Sequence, residues 1–421
     1  PHEQWELVHE KAHGMLARQA ELYRDEIRSL LDDAGIAVVD HEDLSDDERA
    51  SLRRQFEDSI LPTLTPLTFD PAHPFPFISN LSLSLAVVTR DDADEDPKFS
   101  RVKIPKNRPR LVRVDDDGDD DARFVRIEGV VEANLDLLFP NVEVLETSTF
   151  RVTRNAEVRR NEEVAEGLIE RIEDVLRQRR FATVVRLEVA EDMPAEVRDL
   201  LVEQLDVDPA ELYELPEPLD YRDFMAVVDL DRPDLSIDEW TPQSHPRFAR
   251  LDPESPSAIF DEIRRDDVLV HHPYHSFTTT VQSFIDAAAN DDDVLAIKAA
   301  IYRTAEDSNI IESLIEAAQN GKQVAVMVEL KARFDEENNL RWVKRLEEEG
   351  IHVAYGTIGL KTHSKTALVV REEDDGVQLY SHVATGNYHS ETAKTYVDLG
   401  LLTADRDVGQ DLVRLFNYFT G

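Results

Sequence analysis

Residues 267–385 alternate short apolar runs with amphipathic stretches, and this alternation limits the fold more than any other feature of the chain. "DVLVHHPY", "VLAIKAAIY", "KQVAVMVEL", "IHVAYG", "KTHSKTALVV" and "VQLYSHVAT" read as strands. Between them, "SFTTTVQSFIDAAA" places Val281, Phe284, Ile285 and Ala288 on one helical face. "SNIIESLIEAAQNG" and "ENNLRWVKRLEEEG" are helices closed by Gly321 and Gly350. Strands that are apolar along their length must be covered on both sides, so the pattern predicts a largely parallel sheet with helices on both faces. Ligands of such sheets sit at the carboxyl ends of the strands.

Upstream the texture is irregular. Leu16, Ala20, Tyr23, Ile27 and Leu30 recur at helical spacing before Gly35, so residues 1–35 read as a helical piece, the remnant of a larger helical domain. From 36 to 250 strands and helices mix without a regular order, which predicts an α+β domain. "NLSLSLAVV" alternates as a half-buried strand with Leu81, Leu83, Leu85 and Val87 on one face. "RLVRV", "VEVLETSTFRVTR" and "TVVRLEV" are further strands, and residues 156–180 form a long charged helix. A Pro/Ser-rich passage at 241–257 reads as a linker, after which 251–421 forms the α/β domain. No internal repeat is visible.

The net charge is −41, with 88 acidic against 47 basic residues. That balance opposes nucleic-acid binding, which needs a broad basic footprint. It suits a salt-adapted surface, because at molar salt the Debye length falls to about 3 Å and dispersed charges hardly repel. With no cysteine, disulfides and thiolate metal sites are excluded. No segment reaches the roughly 20 apolar residues of a membrane span, and no signal peptide opens the chain; the expectation is a cytoplasmic protein of a halophile.

Only 11 of the basic residues are lysines, and seven of these fall between 298 and 394. Arg303, Lys331, Arg333, Lys361, Lys365, Asn387, Lys394 and Tyr396 follow successive predicted strand ends. Singly, each cation reads as a salt-bridge partner; together they read as a phosphate pocket, since guanidinium groups grip phosphates bidentately. In "GLKTHSK", His363 and Lys365 would share one face of a strand. An imidazole beside an ammonium suits binding an anion and attacking it. The glycine turn "TGN" (385–387) adds neutral donors for a phosphoryl oxygen.

"HHPYHSF", "AIKAAIYRT", "VELKARFDEENN", "GLKTHSK", "HVATGNYHSETAKTYVDLGLLTAD" and "LFNYFTG" resemble successive signature blocks of polyphosphate kinase, type 1 family. "TPLTFDPAHPFPFISNLSLSLAVV" and "FRVTRNAE" agree, so the resemblance covers essentially the whole chain. It implies a phospholipase D-like α/β catalytic domain and reversible transfer of the terminal phosphate of ATP to inorganic polyphosphate through a phosphohistidine. By the same resemblance His363 is the nucleophile, Arg303 and Arg333 are associated with Mg2+, and Tyr396 contacts the nucleotide. A guanidinium has no lone pair for a metal, so Arg303 and Arg333 read as phosphate clamps beside the magnesium. Lys365 and Asn387 carry no family role and are assigned transition-state stabilisation. Flanking cations disfavour the imidazolium, keeping a ring nitrogen free to attack.

The family also has a helical start with an ATP-contacting asparagine and a second C-terminal domain with another histidine and an arginine. The expected partners are therefore ATP, ADP and polyphosphate, further copies of the chain, and a C-terminal domain supplied in trans. Two alternatives stand beside this reading: a phospholipase D-like phosphodiesterase, disfavoured because no aspartate follows Lys365 at the required spacing, and a non-catalytic polyphosphate-binding subunit. His271, His272 and His275 have metal-like spacing but read as structural. "RQRR" (177–180) reads as a helix-end charge cluster, a dimer contact or part of a polyphosphate path. Asp335, Glu336 and Glu337 read equally as helix-opening acids and as indirect support for magnesium.

Overall fold

The opening helix runs His2–Leu22, passes through a π turn at Tyr23–Ile27 and continues as Arg28–Asp33. A π turn inserts one residue into the helical repeat, so everything after it is rotated. Ala20 and Tyr23 are buried as the spacing predicts, but Ile27 and Leu30 are exposed. Leu31, one position later, packs inward against Ile36, Val38 and Leu111. Gly35 ends the helix at φ +80°, a left-handed position that a side chain would strain.

The computed structural model describes residues 2–69, 75–91, 97–114, 122–155, 181–252, 255–302, 308–329, 336–355 and 361–420. The predicted helix at 156–180, with its "RQRR" end, lies outside them. The chain forms two compact units that divide between Ser236 and Ile237.

The first unit holds β1 (Ile36–Val39), β2 (Leu67–Phe69), β3 (Leu83–Arg90), β4 (Lys98–Lys103), β5 (Leu111–Arg113), β6 (Ala122–Arg126), β7 (Glu143–Arg154), β8 (Val184–Ala190) and β9 (Leu212–Leu215). They form a six-stranded sheet ordered β2-β4-β3-β7-β8-β9 and a three-stranded sheet ordered β1-β6-β5. Period-two alternation along β3 sends Leu83, Leu85 and Val87 into one core with Val102 and Phe56. Ala86 points into the opposite core with Phe99, Phe150 and Leu187. Leu81 does not share the strand's face: it precedes β3 in a left-handed conformation at φ +54°. Arg110 and Glu128 are buried together at 2.7 Å, and the same guanidinium donates to Leu219 O at 2.6 Å. Burying that charge is tolerable because both partners are fully engaged.

The second unit holds β10 (Val268–His272), β11 (Val294–Ile301), β12 (Gln323–Val328), β13 (His352–Tyr355), β14 (Lys365–Glu373), β15 (Gly376–Ala384) and β16 (Asp398–Thr403), in one sheet ordered β10-β16-β15-β14-β11-β12-β13. The expectation of a largely parallel sheet is corrected here. Only β11, β12 and β13 run parallel; β14, β15, β16 and β10 pair antiparallel. Between β14 and β15 stand only Asp374 and Asp375, followed by Gly376 at φ +119°. Parallel neighbours need a crossover of a dozen or more residues, so two residues enforce a hairpin.

Both faces are nevertheless covered. Leu412 and Phe416 of the helix Arg406–Thr420 pack on Ala300, Met327 and Leu368. From the helix Ser257–Arg265, Phe260 lies 4.9 Å from Tyr380. The expected linker at 241–257 is pinned in its described part: Gln243 bridges to His275, Trp240 Nε1 donates to Pro273 O at 3.1 Å, and Arg247 meets Glu262 at 2.6 Å. Among the described residues no helix is long and apolar enough to cross a membrane.

Gly409 lets the last helix lie directly on β15, since a Cβ there would stand 2.7 Å from Leu379 Cβ. Gly→Ala in a helix interior ordinarily stabilises by up to about 1 kcal/mol. At Gly409 it should instead destabilise by about 1–3 kcal/mol through overpacking. Denaturant melts of wild type and Gly409→Ala measure this; a raised midpoint would show that the helix shifts without cost.

Candidate functional site

The antiparallel pairing of β11 with β14 aligns Ala300 with Thr366, so the end of β11 meets the start of β14. Lys365 pairs with Ala384, Ala384 with Gly400, and Asp398 with His272. Ile301 pairs with Val328 and Val328 with Tyr355. One end of each of the seven strands therefore gathers at one edge of the sheet, the carboxyl ends of five and the amino ends of β14 and β16. His363, Lys365, Asn387 and Tyr396 all belong to segments that enter or leave this edge.

Tyr302, the first residue after β11, organises the basic groups there and is itself buried. The His363 ring meets it edge to face, 4.8 Å between centroids. Lys361 Nζ lies 5.1 Å and Lys365 Nζ 4.9 Å from the same ring centre. The Lys365 ammonium also donates to His363 O at 2.8 Å, although its residue is buried. His363 precedes β14 rather than lying on it, which corrects the expectation of two residues on one strand face. The residue keeps its side chain exposed, a position a nucleophile needs.

Glu329 leaves β12 buried, and its carboxylate accepts Thr362 N–H at 2.6 Å, tying the histidine segment to the parallel half of the sheet. Asn339 donates to both Tyr302 O and Glu329 O, at 3.0 and 2.9 Å. Composition does not disclose these supports; their signal is a polar residue placed directly after an apolar strand, as in "AAIY" and "VMVE".

On the antiparallel side, Thr385 Oγ1 donates to Asp398 at 2.7 Å, and a Cβ on Gly386 would stand 2.8 Å from Asp398 Cγ. Asn387 follows, with its side-chain oxygen enclosed and unbonded. His382 on β15 is buried, its Nδ1 2.8 Å from the Tyr388 hydroxyl and its Nε2 without a partner. Burial drives its pKa down to about 3, and raises that of Tyr388 well above the ordinary phenol value. Tyr396 is 65% exposed just before β16, and Lys394 pairs with Glu391 at 2.9 Å instead of joining the other lysines.

Arg303, Lys331 and Arg333 lie outside the described residues, as does Asp335; Glu336 and Glu337 open the helix Glu336–Glu348. The three histidines of "HHPYH" are engaged in their own turn: His271 N–H donates to His275 Nδ1 at 3.1 Å, and His272 Nδ1 lies 2.7 Å from His275 O. Among the described residues no group of three His, Asp or Glu could hold a metal.

Residues 258–421 match the family model described as polyphosphate kinase C-terminal domain 1, and residues 47–227 match the polyphosphate kinase middle domain. A polyphosphate kinase of Mycobacterium marinum is 48% identical over the whole chain, and one of Streptomyces coelicolor 47%. The chain spans 58% and 56% of those two proteins. The crystal structure of a polyphosphate kinase from Porphyromonas gingivalis superposes with a TM-score of 0.79 at 30% identity, covering 98% of this chain and 60% of that one.

The His382 environment makes a pH prediction. An unfolded chain protonates this histidine near pH 6.5, the folded one only near pH 3. Its neutral burial is therefore free of penalty above pH 6.5 and costs progressively more as pH falls, by about 1.4 kcal/mol per pH unit. His382→Asn keeps an amide where Nδ1 meets Tyr388 and removes the titration. Denaturant melts at pH 7, 6 and 5 should show the variant losing less stability on acidification; identical slopes would mean that folded His382 protonates normally.

Proposed function

The chain belongs to the polyphosphate kinase family, and from that premise we propose that its seven-stranded unit moves the terminal phosphate of ATP to inorganic polyphosphate through His363. The observation that carries this reading is the gathering of His363, Lys361 and Lys365 around Tyr302 at the strand-end edge.

In the forward half-reaction a ring nitrogen of His363 attacks the γ-phosphorus of ATP. An N–P bond forms as the bond from that phosphorus to the β–γ bridging oxygen breaks, and ADP leaves with the electron pair. The terminal oxygen of a polyphosphate chain then attacks the same phosphorus, restoring the imidazole and lengthening the chain by one unit. Each half exchanges one high-energy phosphoryl bond for another, so the sequence runs either way. Phosphoryl transfer asks chiefly for positioning and charge stabilisation. Lys361 and Lys365 place two ammonium groups beside the histidine. Asn387 offers an amide whose oxygen lacks a protein partner; turned over, it presents N–H groups to a phosphoryl oxygen. Arg303 and Arg333 are assigned to clamping phosphates, and the exposed Tyr396 ring to the nucleotide.

Magnesium fits as a passenger on the nucleotide. It commonly takes one or two carboxylates at most, with phosphate oxygens and waters completing its shell. Glu329 and Asp398 at this edge are already hydrogen-bonded within the protein. When bound, the ion supplies neutralisation of the triphosphate. The division into domains at residues 35 and 250, a homo-oligomer, a C-terminal domain acting in trans and a high-salt cytoplasmic setting belong to the same reading.

Incubating the chain with γ-labelled ATP and Mg2+, then mapping the label by mass spectrometry, tests the assignment. The label should sit on His363 and vanish in His363→Ala; label retained in that variant would sink it. Arg303→Lys and Arg333→Lys should each weaken ATP or polyphosphate binding about tenfold or more, because a point charge cannot replace a bidentate fork. Wild-type affinity in both variants would reduce these arginines to ordinary ion-pair partners.

A further inference from the structure

The first unit carries a second concentration of lysine. Of the four lysines outside 298–394, Lys98, Lys103 and Lys106 fall within nine residues. Lys106 and Arg108 stand on the segment "IPKNRPR", which is fastened at both ends. Ile104 N–H donates to Leu83 O at 3.0 Å, and Arg110 is locked into its buried pair with Glu128. Pro105 and Pro109 restrict the backbone on either side of the cations.

This segment lines a cavity of about 450 Å³ together with the apolar Leu81, Leu83 and Ile104 and with Arg222. Neither Lys106 nor Arg108 makes a hydrogen bond or ion pair with a described residue, in a chain where most arginines are paired. Asp220 does not fill the role. Its carboxylate is already shared by Arg222 at 2.5 Å and Arg151 at 3.1 Å. Asp223 is the other carboxylate lining the cavity. Besides burial, the charges of Arg222, Lys103 and Arg151 push the Lys106 pKa down; the opposing pull of Asp220 is weaker. Lys106 and Arg108, crowded by these neighbouring cations and without a carboxylate partner among the described residues, raise the energy of the empty cavity. A multiply charged anion relieves that repulsion.

We propose that this cavity in the first unit is a phosphate-anion site, binding a condensed phosphate or the phosphates of a nucleotide through Lys106 and Arg108. It uses none of the sheet-edge residues and rests on the phosphoryl-transfer reading only for the choice of probes. A condensed phosphate would meet the cations alone, whereas a nucleotide would also set its base against the apolar lining residues.

Hydrogen–deuterium exchange of the full chain, without divalent metal, tests it with tripolyphosphate and ADP as separate probes. Exchange across 104–110 should slow with at least one of them. The double variant Lys106→Glu/Arg108→Glu should weaken the affinity read at this segment by about tenfold or more, two charge-assisted contacts being lost, while protection at 361–365 is unchanged. Lys11→Glu/Arg54→Glu adds the same charge elsewhere and should leave the 104–110 response intact. No protection at 104–110 by either probe overturns the proposal, as does equal weakening by both double variants. Because 361–365 is read in the same experiment, loss of protection there counts only against the His363 reading.

Discussion

The antiparallel pairing of β11 with β14 is the constraint on which the second unit depends. Had β14 entered parallel to β11, Lys365 would begin at the opposite edge of the sheet, a strand length from Tyr302. Reversal puts the start of one strand beside the end of the other, so a histidine just before β14 meets a tyrosine just after β11 at 4.8 Å. The same reversal, repeated through β15, β16 and β10, carries Asn387, Asp398 and His272 to that edge. The ordinary rule for parallel sheets places ligands at carboxyl ends; here the amino ends of β14 and β16 join the carboxyl ends of the other five strands.

Charge is handled in two different ways within the one unit. Away from the edge, arginines are neutralised: Arg371 reaches Asp291 at 3.1 Å, Asp293 at 3.0 Å and Glu373 at 2.8 Å, and the last also accepts the Tyr380 hydroxyl at 2.6 Å. Such a cluster fastens the turn before β11 to the far end of β14 and, through Tyr380, to the middle of β15, and neutralises the arginine. This is where a strongly acidic chain can afford its basic residues.

Much of this was legible in the residues. Gly321 and Gly350 stand at φ +83° and +77°, closing helices where the sequence placed their ends. Phe284, Ile285 and Ala288 are buried along the helix Ser283–Asn290, and Val281 is buried in the π turn Thr278–Gln282 that precedes it. The hairpin direction was also written, in "EEDDG", but the apolar strands on either side imitate parallel ones because helices cover both faces here too. The rotation at Tyr23–Ile27 was not legible, since a π turn leaves no pattern in composition and only shifts an existing one. Nor was the role of Tyr302: an aromatic residue ending an apolar strand looks like core, and its partners come from a segment about 60 residues later.

That tyrosine has a physical advantage over the carboxylate that usually fixes a lysine. An aromatic face attracts an ammonium through its quadrupole, at about 0.5–2 kcal/mol depending on desolvation. A carboxylate attracts more strongly but cancels the charge it holds, as Glu391 does for Lys394. A ring carries no net charge, so it orients the Lys361 ammonium without cancelling its field. The ring's own hold on the imidazole, edge to face at 79°, fixes the plane of that group without adding charge either. Tyr302 is therefore a residue type that can place a cation at this edge without neutralising it.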